Sequence, residues 1–146
     1  MIHRTHFYTA LLLILNGWAC HPAQKFPGQY KGDQLHFGQG GGFAGILTHF
    51  VLLEDGRLFQ KNYRDSAFTF QARWTDKFVD QMFTNYKELG LDTVDHYQPG
   101  DLYYFIEYRS PGKPVHRIGW GRPGFHPDDN TVVFYNLLYR STKSKS

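Results

Sequence analysis

The residues that could bind a metal or catalyse a reaction are spread thinly along this sequence. Eight histidines are present, and the five beyond residue 30 lie ten or more residues apart: His36, His49, His96, His116 and His126. Zinc sites usually show close ligand pairs, often with cysteine. A structural role for these histidines is therefore favoured over metal ligation, and the sequence predicts neither a metal nor a cofactor.

The sequence also offers little for nucleophilic or acid–base catalysis. It has no Gly-x-Ser-x-Gly motif, and its only cysteine, Cys20, lies near the N-terminus. A hydrolase built on this chain would draw on Asp101, His49 or His116, but no local pattern brings these residues together. We therefore predict that the chain has no catalytic residues, with an uncharacterised hydrolase as the less favoured alternative.

One segment is unusually rich in glycine. Five glycines fall within eight positions: Gly38, Gly40, Gly41, Gly42 and Gly45. A phosphate loop is disfavoured, because the Gly-Lys-Ser/Thr ending is missing and a predicted strand follows. Either the glycines form a bulge or wide turn, or their bare backbone lets a partner approach closely, with Phe43 as the anchor. The second interpretation gives the candidate partner-binding residues Gly40, Gly41, Gly42, Phe43 and Gly45.

The first nineteen residues predict a bacterial lipoprotein signal peptide. Arg4 precedes an apolar run over residues 7–15 that is too short to span a bilayer, and the small residue Ala19 directly precedes Cys20. A single cysteine cannot form an internal disulfide, so we predict that Cys20 carries fatty-acyl chains that anchor the protein to a membrane. The predicted location is the cell envelope, outside the cytoplasm. Plain secretion after cleavage at Ala19 is the alternative.

Length and charge set the domain organisation. The 146 residues are 41% hydrophobic and 20% charged, as expected for one folded domain. The formal net charge of +3 is concentrated in the tail residues Arg140, Lys143 and Lys145, which disfavours a nucleic-acid partner. We predict a signal peptide over 1–19, a tether over 20–32, a single domain over 33–141 and a basic flexible tail over 142–146.

Hydrophobic periodicity and turn residues predict an α+β fold. Strands are expected over 34–37, 46–53 and 58–63, with Asp55-Gly56 forming a type I′ hairpin turn between the last two. A helix is expected over 76–89, a strand pair over 102–108 and 115–120, and a second helix over 132–139. The resulting prediction is a two-layer sandwich, with an antiparallel sheet of about four or five strands and two helices on one face.

The segment Gly41-Gly42-Phe43-Ala44-Gly45-Ile46 resembles the emfourin family of protealysin inhibitors. The order of elements from Gln34 to Arg140 is similar too, with Pro99-Gly100-Asp101-Leu102 ahead of the later strand pair. The resemblance implies a small non-enzymatic fold that inhibits thermolysin-like zinc metallopeptidases by protein contact. The predicted function is a lipid-anchored, extracytoplasmic domain that binds a protein partner. A structural or envelope-assembly lipoprotein is the alternative.

Overall fold

A computed structural model describes residues 26–43 and 45–144, which form an antiparallel sheet with two helices packed on one face. The predicted signal peptide and Cys20 lie outside the described residues. The strands are β1 (Gln34–Gly41), β2 (Ile46–Leu53), β3 (Arg57–Asn62), β4 (Thr69–Arg73), β5 (Leu102–Arg109) and β6 (His116–Trp120), and the helices are α1 (Asp76–Glu88) and α2 (Asp129–Ser141). Their order in the sheet is β4-β3-β2-β1-β5-β6. The predicted α+β class is confirmed, although the sheet has six strands instead of four or five.

β1 is longer than predicted because its glycines continue the strand. Pairing with β2 runs without a break from Gln34 opposite Leu53 to Gly41 opposite Ile46. The same stretch of β1 also pairs with β5 along its full length. β1 therefore contains no bulge, and it continues through Gly41.

The hairpin between β2 and β3 is confirmed, but its turn differs from the prediction. A type I′ turn requires positive φ at both Asp55 and Gly56, and only Gly56 has it, at +89°. The Gly56 N–H donates to the Leu53 carbonyl at 2.9 Å. The predicted type I′ turn is therefore wrong, and one glycine suffices to reverse the chain.

β4 is not among the strands predicted from the sequence, and it forms one edge of the sheet. Four of its five residues are exposed, and its pairing with β3 shifts register between Leu58 and Phe59. A short edge strand with so little burial lacks the apolar alternation by which strands are recognised. No described segment pairs with the outer edge of β4.

The opposite edge of the sheet, β6, is covered by the chain that precedes β5. Tyr97 forms a parallel bridge with Gly119, and the Gln98 N–H donates to the Gly119 carbonyl at 2.8 Å. The Gly119 N–H in turn donates to the His96 carbonyl at 3.2 Å. The two edges of the sheet therefore differ, since among the described residues only β6 has further backbone partners.

Both predicted helices are present. α1 ends where expected, with Gly90 in the left-handed region at φ +72°. α2 starts three residues earlier than predicted because the Asp128 side chain caps it, accepting a hydrogen bond from the Thr131 N–H at 2.9 Å. Each helix has thirteen residues, and in the described part of the chain no helix has the length and apolarity to cross a bilayer.

The helices bury the apolar side chains of one face of the sheet. The centre of this core contains fully buried side chains from the sheet and from both helices: Leu35, Phe37, Ile106, Ile118, Met82, Tyr86, Phe134 and Leu138. The other face of the sheet, called the helix-free face below, is defined by the alternate strand residues. Its own small apolar cluster consists of Val51, Leu53 and Phe59.

The chain enters the sheet across the helix-free face. Pro27 is buried in a short 3₁₀ turn, Pro27–Gln29, and the Tyr30 ring packs against the cluster of Val51, Leu53 and Phe59. Residues 27–30, which the sequence assigns to the tether, therefore contact the sheet. This contact lies at the end of β1 where the strand begins.

Candidate functional site

The turn between β1 and β2 presents a fully exposed aromatic side chain. Phe43 has a relative exposure of 113%, the highest of the exposed large hydrophobic residues. The neighbouring Gly42 is exposed as well, whereas Gly41 and Gly45 are partly buried. We refer to Gly41, Gly42, Phe43 and Gly45 as the Phe43 tip.

The backbone of the Phe43 tip is fixed by contacts with the start of β5. The Gly42 N–H donates to the Asp101 carbonyl at 2.6 Å, and the Gly45 N–H donates to the Gly42 carbonyl at 2.9 Å. Gly41 has φ +90°, and a Cβ at this position would overlap the Asp101 carbonyl oxygen. Only glycine fits there, so the conformation that displays Phe43 is built into the sheet.

Gly40 differs from the other candidate residues because a side chain covers it. It is buried, and a Cβ on it would lie 2.6 Å from the Tyr103 hydroxyl. The flanking residues Tyr63 and Leu102 are exposed by 67% and 42%. The surface available to a partner at this end of the sheet therefore consists of Phe43 with apolar neighbours, and Gly40 lies beneath it.

Behind the tip, the helix-free face contains a buried polar network that the sequence reading did not find. His36 and Glu107 are only 2% and 1% exposed, and they face each other on the neighbouring strands β1 and β5. His36 Nδ1 lies 3.0 Å from His49 Nε2. The rings of Phe68 and Phe105 pack edge-on against His49, with centroids 5.0 and 5.2 Å from it.

A chain of hydrogen bonds links Gln34 to both histidines. The Gln34 amide nitrogen donates to the carbonyls of Pro27 and Tyr30, so the Gln34 side-chain oxygen accepts from His36 Nε2 at 3.0 Å. In a neutral His36 ring with its proton on Nε2, Nδ1 accepts from His49 Nε2. For neutral rings, the direction of each bond therefore follows from the contacts of Gln34 with the N-terminal segment.

The surroundings oppose protonation of either ring. Burial, together with the nearby Arg109 cation, lowers the pKa of His36 to about 2. Burial also lowers the pKa of His49, to about 4, against the opposing effect of the Glu107 carboxylate. The pair therefore stays uncharged at neutral pH.

Glu107 is compensated by two arginines. Arg109 Nε donates to one carboxylate oxygen at 2.5 Å, and Arg117 Nε donates to the other at 2.5 Å. The Arg117 Nη2 atom also contacts the second oxygen. The arginine side chains remain 44% and 49% exposed, so Glu107 is neutralised while both cations keep N–H groups at the surface.

The residues that a hydrolase would use do not converge. His49 lies on the helix-free face, whereas His116 faces the helices, where it bonds to the Tyr86 hydroxyl and to the Val94 carbonyl. Asp101 contributes its backbone carbonyl to the Phe43 tip. Within residues 26–43 and 45–144, no group of three or more His, Cys, Asp or Glu side chains could hold a metal ion.

The sequence signal for the polar network is the alternation of polar and apolar residues along β1 and β5. Gln34 and His36 alternate with apolar Leu35 and Phe37, and Glu107 and Arg109 alternate in the same way on β5. The separation of His36 and His49 along the chain conceals their proximity, because they are diagonal neighbours in a hairpin. Only the extension of β1 through its glycines places them together.

Comparison with known proteins adds no assignment to this geometry. The chain matches no protein-family model and no curated protein.

Proposed function

We propose that the chain is a lipid-anchored, non-enzymatic domain outside the cytoplasm that binds a partner protein through the Phe43 tip. The observation that carries this proposal is the complete exposure of Phe43 next to Gly42, whose N–H is bonded to the Asp101 carbonyl directly before β5. A large aromatic ring in water is costly unless a partner covers it. A fixed turn also loses little conformational entropy on binding.

The position of the tip supports a protein partner. Cys20, the proposed lipid-attachment site, lies six residues before Phe26 in the sequence, and the chain reaches the sheet where β1 begins. The Phe43 tip lies at the other end of this eight-residue strand, about 25 Å away at the usual rise per residue. An anchor at Cys20 would therefore leave the tip free to meet another protein.

The proposed class of partner is a thermolysin-like metallopeptidase. This part of the proposal rests on the resemblance of Gly41-Gly42-Phe43-Ala44-Gly45-Ile46 to the emfourin family. The alternative, a structural or envelope-assembly lipoprotein, draws on the fact that Gly40 and Gly41 are already explained by packing against Tyr103 and Asp101. The two functions differ in what they require of Phe43.

Replacing Phe43 with alanine is expected to weaken partner binding by at least about 2 kcal/mol, or about thirtyfold, as for an interfacial aromatic hot spot. The measurement is inhibition of thermolysin-like peptidases by the purified full chain. Val133→Ala is the matched control, because Val133 is 63% exposed on α2, on the helix side of the sheet. Thermal melting should be unchanged in both variants.

Absence of inhibition by the wild-type chain at micromolar concentration would remove the peptidase from the proposal. A lower melting temperature for Phe43→Ala, with an unchanged set of crosslinked partners, would favour the structural alternative.

Attachment of the lipid is tested separately. Radiolabelled palmitate is expected to enter the wild-type chain and to be absent from Cys20→Ser, because the thiol is the proposed site of acylation. Both forms should be analysed from the membrane fraction of the expressing bacterium. Equal labelling of the two forms would disprove the anchor at Cys20.

A further inference from the structure

The charges of the sheet are gathered on one of its faces. Every charged residue within the six strands belongs to the helix-free face by strand alternation: the cations Arg57, Lys61, Arg73, Arg109 and Arg117, and the single carboxylate Glu107. Because Glu107 is 1% exposed and paired with two arginines, it offers no negative charge at the surface. The helix-free face is therefore cationic, while α1 on the other side carries three acidic residues against two lysines.

Two of these cations, Lys61 and Arg117, lie in the two middle rows of the face. Lys61 lies in the cross-strand row that also contains His49, Gly38 and Phe105. This row is two residues from Gly40 and Tyr103, which adjoin the tip, and two residues span about 7 Å. Arg117 lies one row farther from the tip, opposite Glu107. It is on β6, four strands away from Lys61 on β3, which is about 19 Å at the usual strand spacing.

The acidic residues of the same side lie mainly at the other end of the sheet. Asp33 and Glu54 are joined by a hydrogen bond from the Asp33 N–H to the Glu54 carboxylate at 2.9 Å. Asp55 forms an ion pair with Arg57. Near the tip, Asp101 directly precedes β5. The Asp65 carboxylate accepts a hydrogen bond from the Asn62 N–H at 2.7 Å. Lys61 and Arg117 are thus set apart from most of the exposed carboxylates.

Contacts with Tyr97 and Glu107 fix the Arg117 side chain. Its guanidinium lies over the Tyr97 ring, 5.7 Å from the centroid, and bonds to Glu107 on its inner side. Tyr97 is itself fixed, since its ring fills the space above Gly119, where a Cβ would lie 2.6 Å from the ring. An arginine with a fixed rotamer loses little entropy when its outer N–H groups bind a carboxylate.

We propose that Lys61 on one side of the helix-free face, and Arg117 with Tyr97 on the other side, together form a second contact region, which binds a carboxylate-rich surface of the same partner protein. The proposal rests on the proposed function, because it takes the tip as the first contact. Tyrosine and arginine are enriched at protein interfaces and are among the commonest hot-spot residues. The Phe43 tip would supply apolar burial, and the second contact region would supply charge complementarity and orientation.

Deca-glutamate labelled with a fluorophore is the probe, and its anisotropy is measured with the full chain in a non-ionic detergent. We expect binding at low salt that weakens as salt is added. Lys61→Glu should weaken it about fivefold, the size of an exposed ion pair near 1 kcal/mol. Lys77→Glu is the matched control, since it makes the same change of charge at an exposed position of α1 and should leave binding unchanged.

Three outcomes would overturn the proposal. One is an absence of binding at low salt, and another is an equal loss in Lys61→Glu and Lys77→Glu. The third concerns the lipid-anchored chain reconstituted into vesicles: loss of deca-glutamate binding in phosphatidylcholine mixed with phosphatidylglycerol, but not in phosphatidylcholine alone, would assign the region to the membrane surface.

Phe43→Ala separates this proposal from the proposed function. The variant should bind deca-glutamate as the wild type does, because Phe43 carries no charge and lies outside the second contact region. Failure of the peptidase assay therefore leaves the deca-glutamate result standing, and the reverse holds as well.

Discussion

Replacing Gly38 with alanine is expected to lower the free energy of unfolding by about 3 kcal/mol, at the upper end for overpacking. Gly38 lies at the middle of β1, between His49 of β2 and Phe105 of β5. A Cβ there would overlap the carbonyl oxygen of Thr48, which is backbone and cannot rotate away. The two strands would have to separate at the centre of the sheet.

Urea denaturation followed by circular dichroism measures this effect. Gly28→Ala is the matched control, because a Cβ on Gly28 meets nothing within 4 Å and its φ is not positive. It should unfold as the wild type does, or with slightly higher stability since alanine restricts the unfolded chain. Equal stabilities of the two variants would contradict the close approach of β1 and β2 at this position.

Acidification is expected to destabilise the fold between pH 6.5 and 5 by about 3 kcal/mol through His36 and His49 together. Their pKa values in the folded chain are lowered to about 2 and about 4, below the unfolded value of 6.5. In this window the unfolded chain therefore binds protons that the folded chain excludes, so stability falls as the pH falls. Burial is the main reason that both rings resist a second proton.

His49→Gln tests the assignment. A glutamine amide can still donate to His36 Nδ1 but does not titrate, so the loss of stability over the same pH window should shrink by about half. The measurement is the midpoint of urea denaturation at several pH values. A pH dependence as steep as that of the wild type would exclude His49 as a contributor.

The parts of the fold that the sequence predicts are those with a local signal. α1 is recognisable from the spacing of Val79, Met82 and Tyr86, which are its buried residues, and from Gly90 at its end. The β2–β3 hairpin is marked by Asp55-Gly56, although the turn type depends on backbone angles that these two residues alone do not determine. β4 carries no comparable pattern, because an exposed edge strand buries little.

The candidate site also has one part that the sequence predicts and another that it does not. Phe43 is visible in the sequence as the one aromatic residue among glycines, and its exposure matches what a contact residue needs, while its role in binding stays a prediction. The network of Gln34, His36, His49 and Glu107 depends on the register of three strands, which no local pattern encodes. The glycines that appear to interrupt β1 are the reason: they belong to the strand, and they bring the two histidines side by side.

Because the two edges of the sheet differ, the number of copies of this chain that could join edge to edge is limited. Polymers of β-sheet grow when every molecule has a donor edge and an acceptor edge, so that each addition exposes a fresh one. Here the segment carrying Tyr97 covers β6 at Gly119, and β4 is the edge without a described neighbour. Two copies joined through β4 would leave only this partly covered edge for a third copy, so strand addition is expected to favour a pair over a fibre.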